Sequence, residues 1–148
     1  MKKIVDYRKL LGVEKTTELK VLKTVYRNLM KDWHPDKFQE SAESQLHAEE
    51  KSKTIIEAYH FLVSIAPETL DATKPEFILT TSASNMADYE YKSQILKVTF
   101  LDGNVYEFFD VPKNIYVKLV NAESPARYAR RHIYNSFVYR SVNKLATA

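Results

Sequence analysis

The apolar residues of this chain change period partway along it, and that change limits what it can fold into. Leu19, Leu22, Val25/Tyr26, Leu29 and Trp33 keep the i, i+3, i+4, i+7 spacing of a helix with one buried stripe. From Tyr89 onward the pattern alternates. Tyr89 and Tyr91 interleave with Glu90 and Lys92; Leu96, Val98 and Phe100 interleave with Lys97, Thr99 and Leu101. Period two marks half-buried strands. A helical half followed by a strand-rich half predicts an α+β chain, and 148 residues are enough for two small domains.

In the helical half, Thr17 is expected to cap a helix over residues 18–32, with Glu18 at its positive end. Away from the stripe stand Lys20, Lys23, Arg27 and Lys31, in one row with no carboxylate until Asp32. Pro35 stops the helix, because its ring disfavours the α conformation at His34 and it has no N–H to give. His34-Pro35-Asp36 is therefore a rigid, exposed corner. Read as catalysis, His34 and Asp36 are a base and its orienter, but no Ser or Cys nucleophile stands nearby. Read as a metal site, two ligands are too few. Read as structure alone, Asp36 caps the next segment and the charge row is a solvated face. Read as recognition, a stiff polar corner beside a cationic stripe suits an acidic partner.

A second long helix is expected over residues 43–65, polar in its first half. Ile55, Ile56, Ala58, Tyr59, Leu62, Val63 and Ile65 form the apolar part. Two antiparallel helices joined by the Pro35 loop are the economical arrangement, with Tyr7 and Leu10 of a short first helix closing one end. His47 and His60 lie 13 positions apart and share no tight face, which argues against a metal site. Pro67 ends the helix, with one extra turn over residues 67–70. Asp71 to Pro75 reads as linker and Thr80 to Asn85 as loop. Phe77-Ile78-Leu79 between them is expected to pack where the two halves meet.

Asp102-Gly103 is a hairpin signal. A three-residue loop over Asp102-Gly103-Asn104 is preferred, because it puts Tyr106 and Phe108 on the face of Phe100 and Val98. Pro112 opens a helix carrying Ile115, Tyr116, Leu119 and Val120. A second helix is expected over residues 125–134. A last short strand is expected around Phe137, Tyr139 and Val142.

Lys and Arg outnumber Asp and Glu by 13 to 12 in residues 1–75 and by 9 to 7 in residues 76–148, so neither half demands nucleic acid by bulk charge. There is no cysteine, hence no disulfide framework and no thiolate metal site. Gly12 and Gly103 are the only glycines, too few for a phosphate-cradling loop, so an enzyme and a bound cofactor are not expected. No apolar run approaches a membrane span and no secretory leader is visible, which leaves a cytoplasmic protein as the expectation.

Four motifs carry a resemblance. Asp6-Tyr7-Arg8-Lys9-Leu10-Leu11-Gly12-Val13, Tyr26-Arg27-Asn28-Leu29, Trp33-His34-Pro35-Asp36-Lys37 and Glu57-Ala58-Tyr59-His60-Phe61-Leu62 resemble, in order and spacing, the J domain of DnaJ-type co-chaperones. The resemblance covers residues 4–70. It implies docking on a DnaK-type heat-shock chaperone and stimulation of that chaperone's ATPase. The family's essential tripeptide corresponds to His34, Pro35 and Asp36, and its chaperone-facing basic positions to Lys23 and Arg27. Lys20 and Lys31 extend the same row. Asn28 stands where the family often has a basic residue.

A second resemblance covers residues 83–142. Ser84-Asn85-Met86, Leu96-Lys97-Val98-Thr99-Phe100, Gly103, Tyr106-Glu107-Phe108, Val111-Pro112, Ala122-Glu123-Ser124 and Ile133 are similar, in order, to the KTSC domain. Tyr106-Glu107-Phe108 replaces that family's Tyr-x-Tyr, and Pro125-Ala126 its Lys-Gly pair. RNA binding is suggested for such domains, and RNA or tRNA is the alternative partner expected here. Arg127, Arg130 and Arg131 share one helical face here, with Arg140 and Lys144 following and Tyr128 among them. Cations beside aromatic planes suit RNA. The plainer reading is that the tyrosines fill a small core and the arginines form its rim.

The expectation is thus a J domain over residues 1–70, a linker over 71–82 and a KTSC-like domain over 83–148. The first is an antiparallel helical hairpin with small helices. The second is a small antiparallel sheet with one or two helices, supplying client or location specificity.

Overall fold

The computed structural model describes residues 2–142. Its elements are helices α1 (Lys2–Leu11), α2 (Leu19–Trp33), α3 (Ala42–Ile65) and α4 (Pro67–Ala83), strands β1 (Met86–Lys92), β2 (Ile95–Phe100) and β3 (Val105–Phe108), helices α5 (Lys113–Asn121) and α6 (Pro125–His132), and strand β4 (Tyr139–Ser141). A 3₁₀ turn, Pro35–Lys37, follows α2. The fold is α+β, helical first and sheet-bearing second, as the change of period predicts. The chain divides into two compact units after Thr69.

In the first unit, α2 and α3 pack together and α1 lies against both. Leu22 is the fully buried member of the α2 stripe, while α3 buries Ala48, Ser52, Ile55, Ala58, Tyr59 and Leu62. Tyr7 meets Phe61 edge-on at 5.3 Å, and Tyr26 stacks on Tyr59 at 4.0 Å. Burial pushes the Tyr59 hydroxyl above its ordinary pKa, as does Tyr26 beside it, while Arg27 pulls it down. Ile4, Tyr7 and Leu11 are buried, at the i, i+3, i+7 positions of α1, while Leu10, expected to close the core with Tyr7, is half-buried.

Two cap expectations are corrected. Thr17 does not cap α2; its hydroxyl accepts from the Glu14 N–H instead. Glu18 is the N-cap and gives no side-chain bond, and the Leu19 N–H is met by the Glu68 carboxylate at 2.7 Å. Nor does Asp36 cap α3. Ser41 does, accepting from the Ser44 N–H at 3.1 Å.

The segment expected as one extra turn, linker and loop is helix α4. Proline and threonine made it read as irregular, and Pro75 does sit inside the helix. Phe77, Thr80 and Thr81, at i, i+3, i+4, decide the matter by being buried. Phe77 stacks on Tyr139 at 3.7 Å and meets Tyr106 edge-on at 5.1 Å within the second unit's core. Its neighbours Ile78 and Leu79 are exposed, so the three do not pack as a block.

The second unit is a four-stranded antiparallel sheet in order β1-β2-β3-β4, with α5 and α6 inserted before β4. Leu96, Val98, Phe100, Tyr106 and Phe108 share the buried face, where Phe77, Leu119, Ala129, Ile133 and Tyr134 join them. The face is the expected one, but the loop is Leu101-Asp102-Gly103: Phe100 and Asn104 close it, and Val98 faces Tyr106. Moving the loop by one residue shifts the pairing by two, which keeps every side chain on its face. Gly103 takes φ +92, and Asp102 accepts from the Asn104 N–H and from Thr80. Partial burial raises the Asp102 pKa, yet these hydrogen bonds outweigh it and the net shift is downward. The β1–β2 turn is Ser93-Gln94, both left-handed, as a two-residue hairpin requires.

Burial pushes the Tyr106 hydroxyl up to about 12, with Glu76 adding to the rise. Burial raises Tyr134 as well. In α5, Val120 is exposed, while Leu119 is buried and Ile115 and Tyr116 are partly so. Phe77→Ala should lower stability by about 3–5 kcal/mol, the range for emptying a buried aromatic site. A urea unfolding curve measures it, and a loss below about 1 kcal/mol would contradict the central place given to this ring.

The basic helix, its loop and the C-terminal cleft

Pro35 leaves the end of α2 short of donors. His34 is extended (φ −61, ψ 129), so the chain turns out of the helix there. The 3₁₀ turn then braces itself. The Lys37 N–H donates to His34 O and the Phe38 N–H to Pro35 O, both at 3.0 Å. The Asp36 N–H donates to His34 Nδ1 at 3.2 Å, and an Asp36 carboxylate oxygen lies 3.5 Å from the same nitrogen. A nitrogen that accepts the N–H carries no proton. In a neutral ring bonded this way the proton is on Nε2.

The loop is anchored by its first aromatic residue. Trp33 stacks on Phe38 at 5.8 Å and meets His47 edge-on at 5.7 Å, and the Lys51 ammonium lies 5.5 Å from its ring. The Trp33 carbonyl accepts from Ser52 Oγ at 2.7 Å. Beyond this anchor the corner is open: the side chains of His34 and Asp36 are 54% and 80% exposed.

Lys20, Arg27 and Lys31 are exposed on α2 and have no ion-pair partner among the described residues; Lys23, in the same row, is half-buried. Asn28 is exposed beside Arg27. His47 and His60 are exposed and lie against aromatic rings, His60 against Tyr26 and Tyr59. Among the described residues no three His, Asp or Glu side chains gather as a metal ion would need. Sequence reasoning missed Ser52 and Lys51. Lys51 follows Trp33 only through the fold, and a serine on an apolar stripe was the available signal for Ser52.

The second candidate set does not stay together. Arg130 donates through Nε to Thr81 O at 3.2 Å, and Arg140 pairs with Glu107 at 2.7 Å. Both are held by the domain itself. Arg127, Tyr128 and Arg131, with His132, line an open cleft that includes Glu123 and Ser124. Ser124 caps α6 by accepting from the Arg127 N–H, and Tyr128 and His132 are 4.7 Å apart. Lys144 lies outside the described residues. No described helix is long and apolar enough to cross a membrane.

Comparison with known proteins agrees with this division. The DnaJ domain family model matches residues 6–67 and the KTSC domain model residues 81–137, the two families the sequence resembles. A chaperone protein DnaJ of Mesomycoplasma hyopneumoniae is 52% identical over 58 residues, covering 38% of this chain and 16% of the relative. A chaperone protein DnaJ of Brucella anthropi is 47% identical over 58 residues, 39% of this chain and 14% of the relative. DnaJ homolog subfamily B member 7 of Mus musculus is 26% identical over 156 residues, 97% of this chain and 49% of the relative. The chain thus spans half or less of these relatives' own lengths.

Proposed function

We propose that this chain is a DnaJ-type co-chaperone that docks on a DnaK-type heat-shock chaperone and stimulates its ATPase. It acts by binding, with no chemistry of its own. The observation that carries the reading is the pairing of an exposed, internally braced His34-Pro35-Asp36 corner with the cationic row of α2, inside a DnaJ domain. Lys20, Lys23, Arg27 and Lys31 attract an acidic surface, and the loop then inserts its polar corner. Because the corner is pre-formed, little conformational freedom is lost on binding. The KTSC domain supplies the choice of client or location.

His34→Gln should bring stimulation down to the chaperone's basal rate while leaving the thermal midpoint near that of the parent. A folded variant that stimulates normally would sink the mechanism. Raising salt from 0.1 to 1 M shortens the screening length from about 10 to about 3 Å, so docking should weaken steeply across that range.

A second reading, that the C-terminal domain contacts RNA or tRNA, draws support from the cleft where Arg127, Tyr128, Arg131 and His132 meet. Titrating tRNA against the full chain at low salt should then give binding that is lost in a double variant, R127A with R131A. Binding equal in parent and variant, or none at all, refutes this reading.

A further inference from the structure

A helix leaves its last four carbonyls without helical partners. At the end of α2 the following residues cannot repair this. Pro35 has no N–H, and the N–H groups of Asp36, Lys37 and Phe38 are spent on His34 Nδ1, His34 O and Pro35 O. The Trp33 carbonyl is left to another element. Ser52 of α3 meets it, donating from Oγ at 2.7 Å across 19 residues.

Ser52 stands on the buried stripe of α3, between Ala48 and Ile55, and is itself 6% exposed. A serine in a helix readily turns its hydroxyl back onto its own backbone. Thr54 does so onto Glu50 O, and Ser64 onto Phe61 O. Ser52 instead reaches across to the other helix. Lys51, the residue before it, and His47, one turn before Lys51, close around the indole of Trp33. The backbone and ring of Trp33 are both held from α3, one residue before His34.

We infer that Ser52 is the positioning residue of the His34-Pro35-Asp36 loop: by holding the Trp33 carbonyl it fixes the direction in which the loop leaves α2. Ser52 touches no partner and adds nothing to the cationic row. It governs how well the corner fits once docked. The inference rests on the proposed co-chaperone reading of the loop, and its test separates the two.

Trp33 is the chain's one tryptophan, so its fluorescence reports this anchor directly. The parent, S52A and S52T are compared in two assays: acrylamide quenching of Trp33, and ATPase stimulation titrated to saturation with a purified DnaK-type chaperone. In S52A, Trp33 should become more quenchable and maximal stimulation should fall about five-fold, the factor for one lost hydrogen bond. The half-saturating concentration should stay put, because the cationic row is intact. S52T keeps the hydroxyl and should restore both values. A folded S52A with parental quenching and parental maximal stimulation overturns the inference. So does a fall in S52A that appears wholly in the half-saturating concentration. If S52A does not fold, S52T decides: stimulation at the parental maximum upholds the inference, and its loss in a folded S52T overturns it. A parent chain that never stimulates overturns the co-chaperone reading itself, and quenching then still tests the hold on Trp33.

Discussion

A proline two residues past the end of a helix withholds a backbone donor where the helix needs one, and the first unit is arranged around that shortage. Pro35 forces His34 out of the helix. The residues after it must then find local partners, and they fold into a tight turn braced by three short-range hydrogen bonds. The deficit that remains, at Trp33, ties α2 to α3. Stiffness at the corner is thus a consequence of where donors are missing. A recognition element benefits, since a corner already in its bound shape loses little freedom on docking.

On the proposed co-chaperone reading, charge and shape divide the work at this site. Exposed cations separated from a partner by water contribute mostly to encounter and orientation, and salt weakens them. Short, directional contacts at a rigid loop decide what happens after encounter. Lys20, Arg27 and Lys31 belong to the first kind, being exposed and without ion pairs among the described residues. His34 and Asp36 belong to the second. The second unit follows a different logic: its aromatic residues are mostly core. Phe77, Tyr106 and Tyr139 pack ring against ring, Tyr134 packs on Phe100 and Phe108, and two of the candidate arginines brace that domain.

The helices that bury a regular stripe were legible in the residues alone, as were the antiparallel hairpin faces and the corner at Pro35. These features are local: period, proline and turn residues determine them. Helix α4 was not legible. Its composition of Pro, Thr, Asp and Ser favours irregular chain, and its burial of Phe77, Thr80 and Thr81 exists only once the sheet is present. The Glu68 cap on Leu19, 49 residues away, was hidden for the same reason. So were the internal partners of Arg130 and Arg140, and the reach of Ser52. The Ser93-Gln94 turn was missed because neither residue is the usual Asn or Gly at left-handed positions.

On the proposed function, one face, α2 with the corner after it, is where a chaperone partner docks. Amide chemical-shift mapping of the labelled chain against a DnaK-type chaperone with bound ATP tests it most directly. The largest changes should fall on Lys20, Lys23, Arg27, Lys31, His34 and Asp36, with the strands of the sheet unmoved. Changes centred on α5 and α6, with the amides of His34 and Asp36 unperturbed at saturation, would contradict it.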